Sequence, residues 1–289
     1  MIPQDALSKI TLHCSEPMQP DLGVMAMIRT IKECGDFARA SFATSVPQYV
    51  GGHGIEVDFD EALGAGGMNS FSIADLNAIC RNVRTEYGLI VQWDAWAVHS
   101  DRWDDHFLKY DYIGPVWPWF KDGMNVGCGG FSMYSRRLLD AIEDIGVDIP
   151  VGMAGDIWVC RHIRPRLERQ YRIKFAPDKV ANRFAFERVN PAKPTLGFHG
   201  LFNVWQFLSD TELARDFIPH IAGYAFKRIE AFEFLDTCLN GDRPDAAAAL
   251  KKRFFHYHGG PEGLSTFMVR AGKHFDNFNP KLLKFLEAI

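Results

Sequence analysis

The chain lacks any C-x-x-C pair. Its six cysteines, Cys14, Cys34, Cys80, Cys128, Cys160 and Cys238, are scattered, mostly within apolar stretches. That spacing fits reduced core thiols and a cytoplasmic setting. No apolar run approaches the roughly 20 residues of a membrane span. The opening MIPQDALSKITLHC has neither a basic start nor a long apolar run, so no signal peptide is expected. A basic excess is missing too. The formal net charge is -4, which excludes the electrostatic footprint of nucleic-acid binding. No internal repeat occurs, and low complexity is confined to four alanines.

What is present suits a folded α/β protein. The 289 residues suffice for one large domain or one domain with an appendage, and a 47% hydrophobic share supports a substantial core. Strand-like and helix-like stretches alternate. KITLHCS reads as a strand, DLGVMAMIRTIKEC as a helix, ARASFAT as a second strand and the glycine-rich Tyr49 to Gly67 as a loop or a pair of short turns. SIADLNAICRNV reads as a helix opened by a capping box of Ser72 and Asp75. GLIVQWD reads as a buried strand. Further on, Ser135 is placed to cap RRLLDAIEDI, GDIWVCRHI opens a helix, and Pro165 ends or kinks it. YRIKFAP and TLGFHG read as late strands. This rhythm predicts a mostly parallel sheet flanked by helices. From about Phe217 the pattern is helical, so the expected division is 1–215 for the α/β domain and 216–289 for an α-helical C-terminal extension.

In such sheets ligands bind beyond the carboxyl ends of the strands. Asp94 stands at that end of its strand, which favours a ligand role over a simple cap on the next turn. Four segments stand out: QWDAW, NVGCGGFS, GDIW and GFHG. Together with DYIGPVWPW, and in this order, they resemble an uncharacterised, glycosyltransferase-like domain family with a GT-A type, Rossmann-like fold. The family pattern is an apolar strand ending Q-x-D-G, then D-Y-I-G-x-P-W-P, G-N-G-G-F-S-x-R-S, P-E-D and G-F-H-G. The resemblance spans roughly Ile10 to Trp205. This chain departs from it at Ala95 in place of glycine, Cys128 in place of asparagine and Gly155 in place of glutamate.

The resemblance implies transfer of a sugar from a nucleoside-diphosphate sugar, with a UDP-sugar favoured, to a glycan, lipid-linked or protein acceptor. Charge develops on the departing diphosphate in that reaction, and Mn²⁺ or Mg²⁺ can neutralise it. Asp94 and His199 are the implied metal ligands, and imidazole suits Mn²⁺ better than Mg²⁺. A D-x-D pair is lacking, because Trp96 holds its third position. Asp156 is the candidate general base for an inverting transfer; its competing role is a helix N-cap. His199 likewise has a competing role as a hydrogen-bonded structural histidine. Gln92, Trp93, Gly127, Cys128, Gly129 and Gly130 would border the donor, since glycine lets a ligand approach the backbone. Ser15 and Glu16, at the end of the first strand, would contact the nucleoside. Trp117 and Trp119 are candidates for an acceptor-stacking platform or for ordinary packing.

Two rival readings remain: a carbohydrate- or nucleotide-binding module with a degenerate site, and a nucleotidyltransferase. The latter would normally carry a basic glycine-rich loop after the first strand, which HCSEPMQPDLG does not resemble. A dinucleotide site is disfavoured because no G-x-G-x-x-G follows the first strand. The basic and aromatic KKRFFHYH marks a candidate for peripheral contact with the inner face of a membrane, or for a solvated helix face. The oligomeric state is not encoded in any motif.

Overall fold

A computed structural model describes residues 1–47, 53–64, 66–271 and 285. By compactness the chain divides into two units, Met1–His199 and Gly200–Ile289. This division falls earlier than the expected boundary at 215–216.

In the first unit, a short helix α1 (Gln4–Leu7) precedes β1 (Ile10–Ser15), α2 (Pro20–Cys34) and β2 (Arg39–Thr44). Then come β3 (Glu56–Phe59), α3 (Met68–Asn82), β4 (Tyr87–Val91), β5 (Tyr112–Ile113), β6 (Phe131–Ser135) and α4 (Arg136–Ile145). The unit ends with α5 (Gly155–Ile157), α6 (Arg164–Gln170), α7 (Asp178–Phe184), β7 (Ala185–Phe186) and β8 (Gly197–Phe198). Six strands form one sheet in the order β3-β2-β1-β4-β6-β5. Strands β1 to β4 pair in parallel, whereas β6 is antiparallel to both β4 and β5. The expected mostly parallel sheet with flanking helices is therefore present. All residues of β1 and β6 are buried, so both faces of the central strands are covered.

The strand order itself positions a site. From β1 the sheet grows one way through β2 and β3 and the other way through β4. The connections diverge at β1 and β4, and in α/β sheets ligands bind beyond the carboxyl ends of strands at such a switch point. Glu16 leaves β1 there, and Gln92 to Asp94 leave β4. Because β6 runs antiparallel, with Val91 opposite Phe131, its entry turn at Gly127–Gly130 reaches the same edge.

Several expectations need correction. The glycine-rich stretch contains β3, a partly exposed edge strand; its residues 49–52 and 65 lie outside the described residues. Helix α3 starts at Met68, so Ser72 is not its N-cap. Ser72 Oγ instead accepts a hydrogen bond from Gly155 N–H (3.2 Å), and Asp75 hydrogen-bonds Ser15, so the two side chains have partners other than each other. The helix opened by GDIW stops at His162, ahead of Pro165, which sits in the first turn of α6, where a missing N–H costs nothing. YRIKFAP supplies only a single bridge, Phe175 to Tyr112, and TLGFHG only the two residues of β8. The predicted Ser135 cap is present, with Oγ accepting from Leu138 N–H at 3.0 Å.

The second unit is helical, as expected of the tail, with α8 (Asp210–Glu212), α9 (Ile229–Asn240), α10 (Pro244–His258) and α11 (Pro261–Ala271). Its core is aromatic: Phe232 packs 4.4 Å and Phe226 5.0 Å from the buried Phe254 ring. Phe254 lies within KKRFFHYH, so that stretch commits one of its aromatics to the interior. No helix among the described residues is long and apolar enough to cross a membrane.

Candidate functional site

Asp94 follows β4 through a tight turn in which Ala95 N–H donates to Gln92 C=O at 3.0 Å. The turn leaves Asp94 buried beyond the end of β4, at 7% exposure. Its Oδ1 lies 3.7 Å from Nε2 of His199. That gap is too long for a hydrogen bond. It suits two ligands of one cation, since atoms each about 2.1 Å from a shared ion sit roughly 3–4 Å apart.

His199 is aimed by a two-stranded ribbon. Strand β7 pairs in parallel with β8, with Ala185 opposite Gly197 and Phe186 opposite Phe198. His199 N–H then donates to Phe186 C=O at 2.9 Å, which holds the next residues, Glu187 and His199, side by side. Glu187 Oε1 is 3.3 Å from His199 Nδ1, and Cys128 Sγ is 3.0 Å from the same nitrogen. Glu187 escaped the motif reading. A signal existed: Ala-Phe-Glu and Gly-Phe-His are the same small–aromatic–ligand pattern on two adjacent strands.

Backbone close approach explains the glycine turn differently from expectation. A Cβ on Gly130 would lie 2.0 Å from His199 Cδ2, and one on Gly127 would lie 2.1 Å from the Trp117 ring. The room at these glycines is taken by the protein's own side chains. Cys128 between them has φ 65°, a left-handed conformation that asparagine and glycine accept better than other residues.

Asp156 comes from the short helix α5. Gly129 N–H donates to its Oδ2 (3.2 Å) and Ile157 N–H to its Oδ1 (2.7 Å). Its side chain does not make the N-cap hydrogen bond, and the N-cap position belongs to Ala154. Burial pushes the Asp156 carboxyl up from its ordinary value, against the two N–H donors.

Other acids crowd the same edge. Glu16 is buried, with Oε1 accepting from Met18 N–H (2.7 Å) and Gln19 N–H (3.0 Å). Burial, reinforced by Asp94 and Asp75, raises its pKa to about 7 despite those donors. Asp75, expected from the sequence only as half of a capping box, is raised to about 6 by burial. Ser15 belongs to a buried chain, with its Oγ 3.0 Å from His13 Nε2 while His13 Nδ1 is 2.8 Å from Ser41 Oγ.

Burial alone would push the His199 imidazolium down. Its neighbours Cys128, Asp94 and Glu187 outweigh burial and hold its pKa well above 6.5. Burial raises Cys128 to about 11, with His199 pulling against that rise. Burial raises Glu187 in turn, and His199 brings it below its ordinary value.

The tryptophans separate. Trp117 is buried against Gly127, whereas Trp119 is 55% exposed. Only Trp119 offers a ring face to solvent. Trp96, at the missing second acid, is core and packs edge-on to Phe198 at 4.7 Å. Gln92 and Trp93 are partly exposed beside Asp94.

The chain matches no curated protein. Among solved structures, it is similar to a mannosyltransferase from Pyrobaculum calidifontis in complex with GDP-Man and Mn²⁺. The identity is 12%, over 96% of this chain and 78% of that one, with a TM-score of 0.43. A glycosyltransferase involved in glycosylation of the major capsid of PBCV-1 is 13% identical over 66% of this chain and 91% of that one, with a TM-score of 0.42. S. aureus TarS is 11% identical over 97% and 90%, with a TM-score of 0.41. Residues 79–199 match the family described as protein of unknown function (DUF5672), and that stretch contains Asp94, Cys128, Asp156, Glu187 and His199.

Proposed function

We propose that the chain is a divalent-metal-assisted glycosyltransferase that moves a sugar from a nucleoside-diphosphate sugar to a hydroxyl acceptor. The observation that carries this reading is the 3.7 Å separation of Asp94 Oδ1 and His199 Nε2 beyond the carboxyl end of β4, at the switch point of the sheet. The donor set fits Mn²⁺, with a carboxylate oxygen and an imidazole nitrogen aimed at each other. With Nδ1–H held by Glu187, loss of the Nε2 proton on metal binding would bare the Nε2 lone pair toward Asp94.

Asp94 and His199 would hold the cation, which when bound supplies positive charge for the departing diphosphate. Asp156 would take the proton from the acceptor hydroxyl; its raised pKa brings it nearer to neutral pH and strengthens it as a base. Gly129 N–H orients that carboxylate. Ser15, Glu16, Gln92 and Trp93 would line the nucleoside side of the site, and Trp119 would stack on an acceptor sugar. The expected setting is the cytoplasm or the inner face of a membrane.

Calorimetric titration with UDP, GDP and CDP, each with and without Mn²⁺, tests the reading. One nucleotide binding only with metal, and not to Asp94→Asn, supports it. Equal binding with and without metal argues instead for a module that binds without turnover, the reading favoured by buried Trp96 at the place of a second acid. Binding of none of the three overturns the donor class.

A further inference from the structure

His199 presents its two ring nitrogens to two different donor sets. Nε2 faces the Asp94 carboxylate, and Nδ1 faces the Cys128 sulfur and the Glu187 carboxylate. The ligand atoms of Cys128, Glu187 and His199 all lie within 4.8 Å of one another, and they form the only such group of three His, Cys, Asp or Glu side chains among the described residues. We propose that Cys128 Sγ, Glu187 Oε1 and His199 Nδ1 form a second cation site, selective for thiophilic ions of the Zn²⁺ type and exclusive with the Nε2 site.

The chemistry separates the two edges. Asp94 with imidazole offers hard and borderline donors, which suit Mn²⁺. A thiolate added to imidazole and carboxylate shifts preference toward Zn²⁺. Geometry agrees: ligand atoms at about 2.0–2.3 Å from a tetrahedral Zn²⁺ lie roughly 3.3–3.6 Å apart. The Nδ1–Oε1 distance is 3.3 Å, and the Nδ1–Sγ distance of 3.0 Å requires only a small opening.

The two occupancies exclude each other through the tautomer. A neutral imidazole carries one N–H and one lone pair. When Glu187 accepts from Nδ1–H, Nε2 is the ligand. When an ion takes the Nδ1 lone pair, the proton left on the ring sits on Nε2, which then points an N–H at Asp94. The Cys128 thiol loses its proton to solvent as the sulfur–metal bond forms, so each Zn²⁺ bound at neutral pH releases at least one proton. Cys128 thus adds a function that asparagine, the residue of the resembling motif at this position, cannot supply.

Cobalt is the probe, because a Co²⁺–thiolate bond gives a ligand-to-metal charge-transfer band in the near ultraviolet. Metal-free protein is titrated with Co²⁺, and the bound ion is then displaced with Zn²⁺. One equivalent of band is expected in the parent chain. It should be lost in Cys128→Ser and in Cys128→Asn, and retained in Asp94→Asn. Cys128→Asn guards against a folding defect, because asparagine accepts the left-handed backbone there. A band that survives both Cys128 variants, or is absent from the parent chain at one equivalent, overturns the proposal. These readings use no sugar substrate and so stand apart from the transferase assignment. Resting on that assignment is one consequence: one equivalent of Zn²⁺ should suppress Mn²⁺-dependent nucleotide binding at least tenfold more strongly in the parent chain than in Cys128→Ser. Equal suppression in both would overturn the exclusion.

Discussion

Glu187 and His199 stand side by side one residue beyond the paired strands β7 and β8, with Glu187 Oε1 3.3 Å from His199 Nδ1. The hydrogen bond fixes the tautomer and directs Nε2 toward Asp94. Outer-sphere carboxylates of this kind typically change metal affinity 10- to 100-fold. Glu187→Gln should therefore weaken Mn²⁺ binding by that order while the fold persists. Asp94→Asn should weaken it further, since it removes a ligand charge. Calorimetry on the two variants distinguishes the roles, and equal affinities for Glu187→Gln and the parent would remove Glu187 from the site.

Mn²⁺ binding should also tighten as pH rises. Cys128, Asp94 and Glu187 hold the His199 pKa well above 6.5, so a cation must displace a proton from the ring at neutral pH. Titration in two buffers of different ionisation enthalpy should reveal about one proton released per Mn²⁺. Proton-free binding would mean that His199 is not a ligand.

Glu16 makes stability pH-dependent. Its pKa rises from 4.5 to about 7 on folding, chiefly through burial. The folded chain thus binds this proton more tightly than the unfolded chain, and relative stability falls as pH climbs through that window. Gln at position 16 keeps an oxygen for the Met18 and Gln19 N–H groups without the buried charge. Glu16→Gln should stabilise the protein on the order of 1–3 kcal/mol at pH 8 and have little effect at pH 4.5. Denaturant melts at both values test this. A pH-independent difference would show that Glu16 does not titrate between them.

Gly130 tests the aim of the imidazole. A methyl there would lie 2.0 Å from His199 Cδ2, so Gly130→Ala must push the ring aside. Mn²⁺ affinity should fall at least tenfold. Gly129→Ala is the control, because its Cβ would meet Asp156 Cβ at an ordinary 3.6 Å. Loss of Mn²⁺ binding in Gly129→Ala alone would reverse this assignment of the two glycines.

Much of this arrangement was legible in the sequence, and the reasons differ by residue. Asp94 was readable because an acid ending the apolar run GLIVQW violates hydrophobic patterning, and topology then says where strand ends meet ligands. His199 and Asp156 were readable through motif order. Glu187 was not, because it needs the pairing of β7 with β8, a register that a two-residue strand hardly encodes. Strand β3 was hidden for a related reason: as a partly exposed edge strand it lacks a buried apolar pattern. Ser72 and Asp75 matched a capping box, yet tertiary partners, Gly155 N–H and Ser15, claimed both side chains.

The two tryptophans of WPW should respond oppositely to truncation. Trp117 is buried with its ring on Gly127, so Trp117→Ala leaves a cavity and should cost about 3–5 kcal/mol. Trp119 is 55% exposed on a loop tied at its base by Trp117 N–H donating to Asn125 C=O at 2.8 Å. The guanidinium of Arg161 adds a second tie, 3.5 Å from the Phe120 ring centroid and 2.7 Å from Asp122. A tied loop presents an aromatic face without an ordering cost on binding, which suits a stacking platform. Trp119→Ala should change stability by less than about 0.5 kcal/mol. It should leave Mn²⁺-dependent nucleotide binding intact while abolishing retention on immobilised oligosaccharides that hold the parent chain. Unchanged retention in Trp119→Ala would leave the acceptor without its proposed platform.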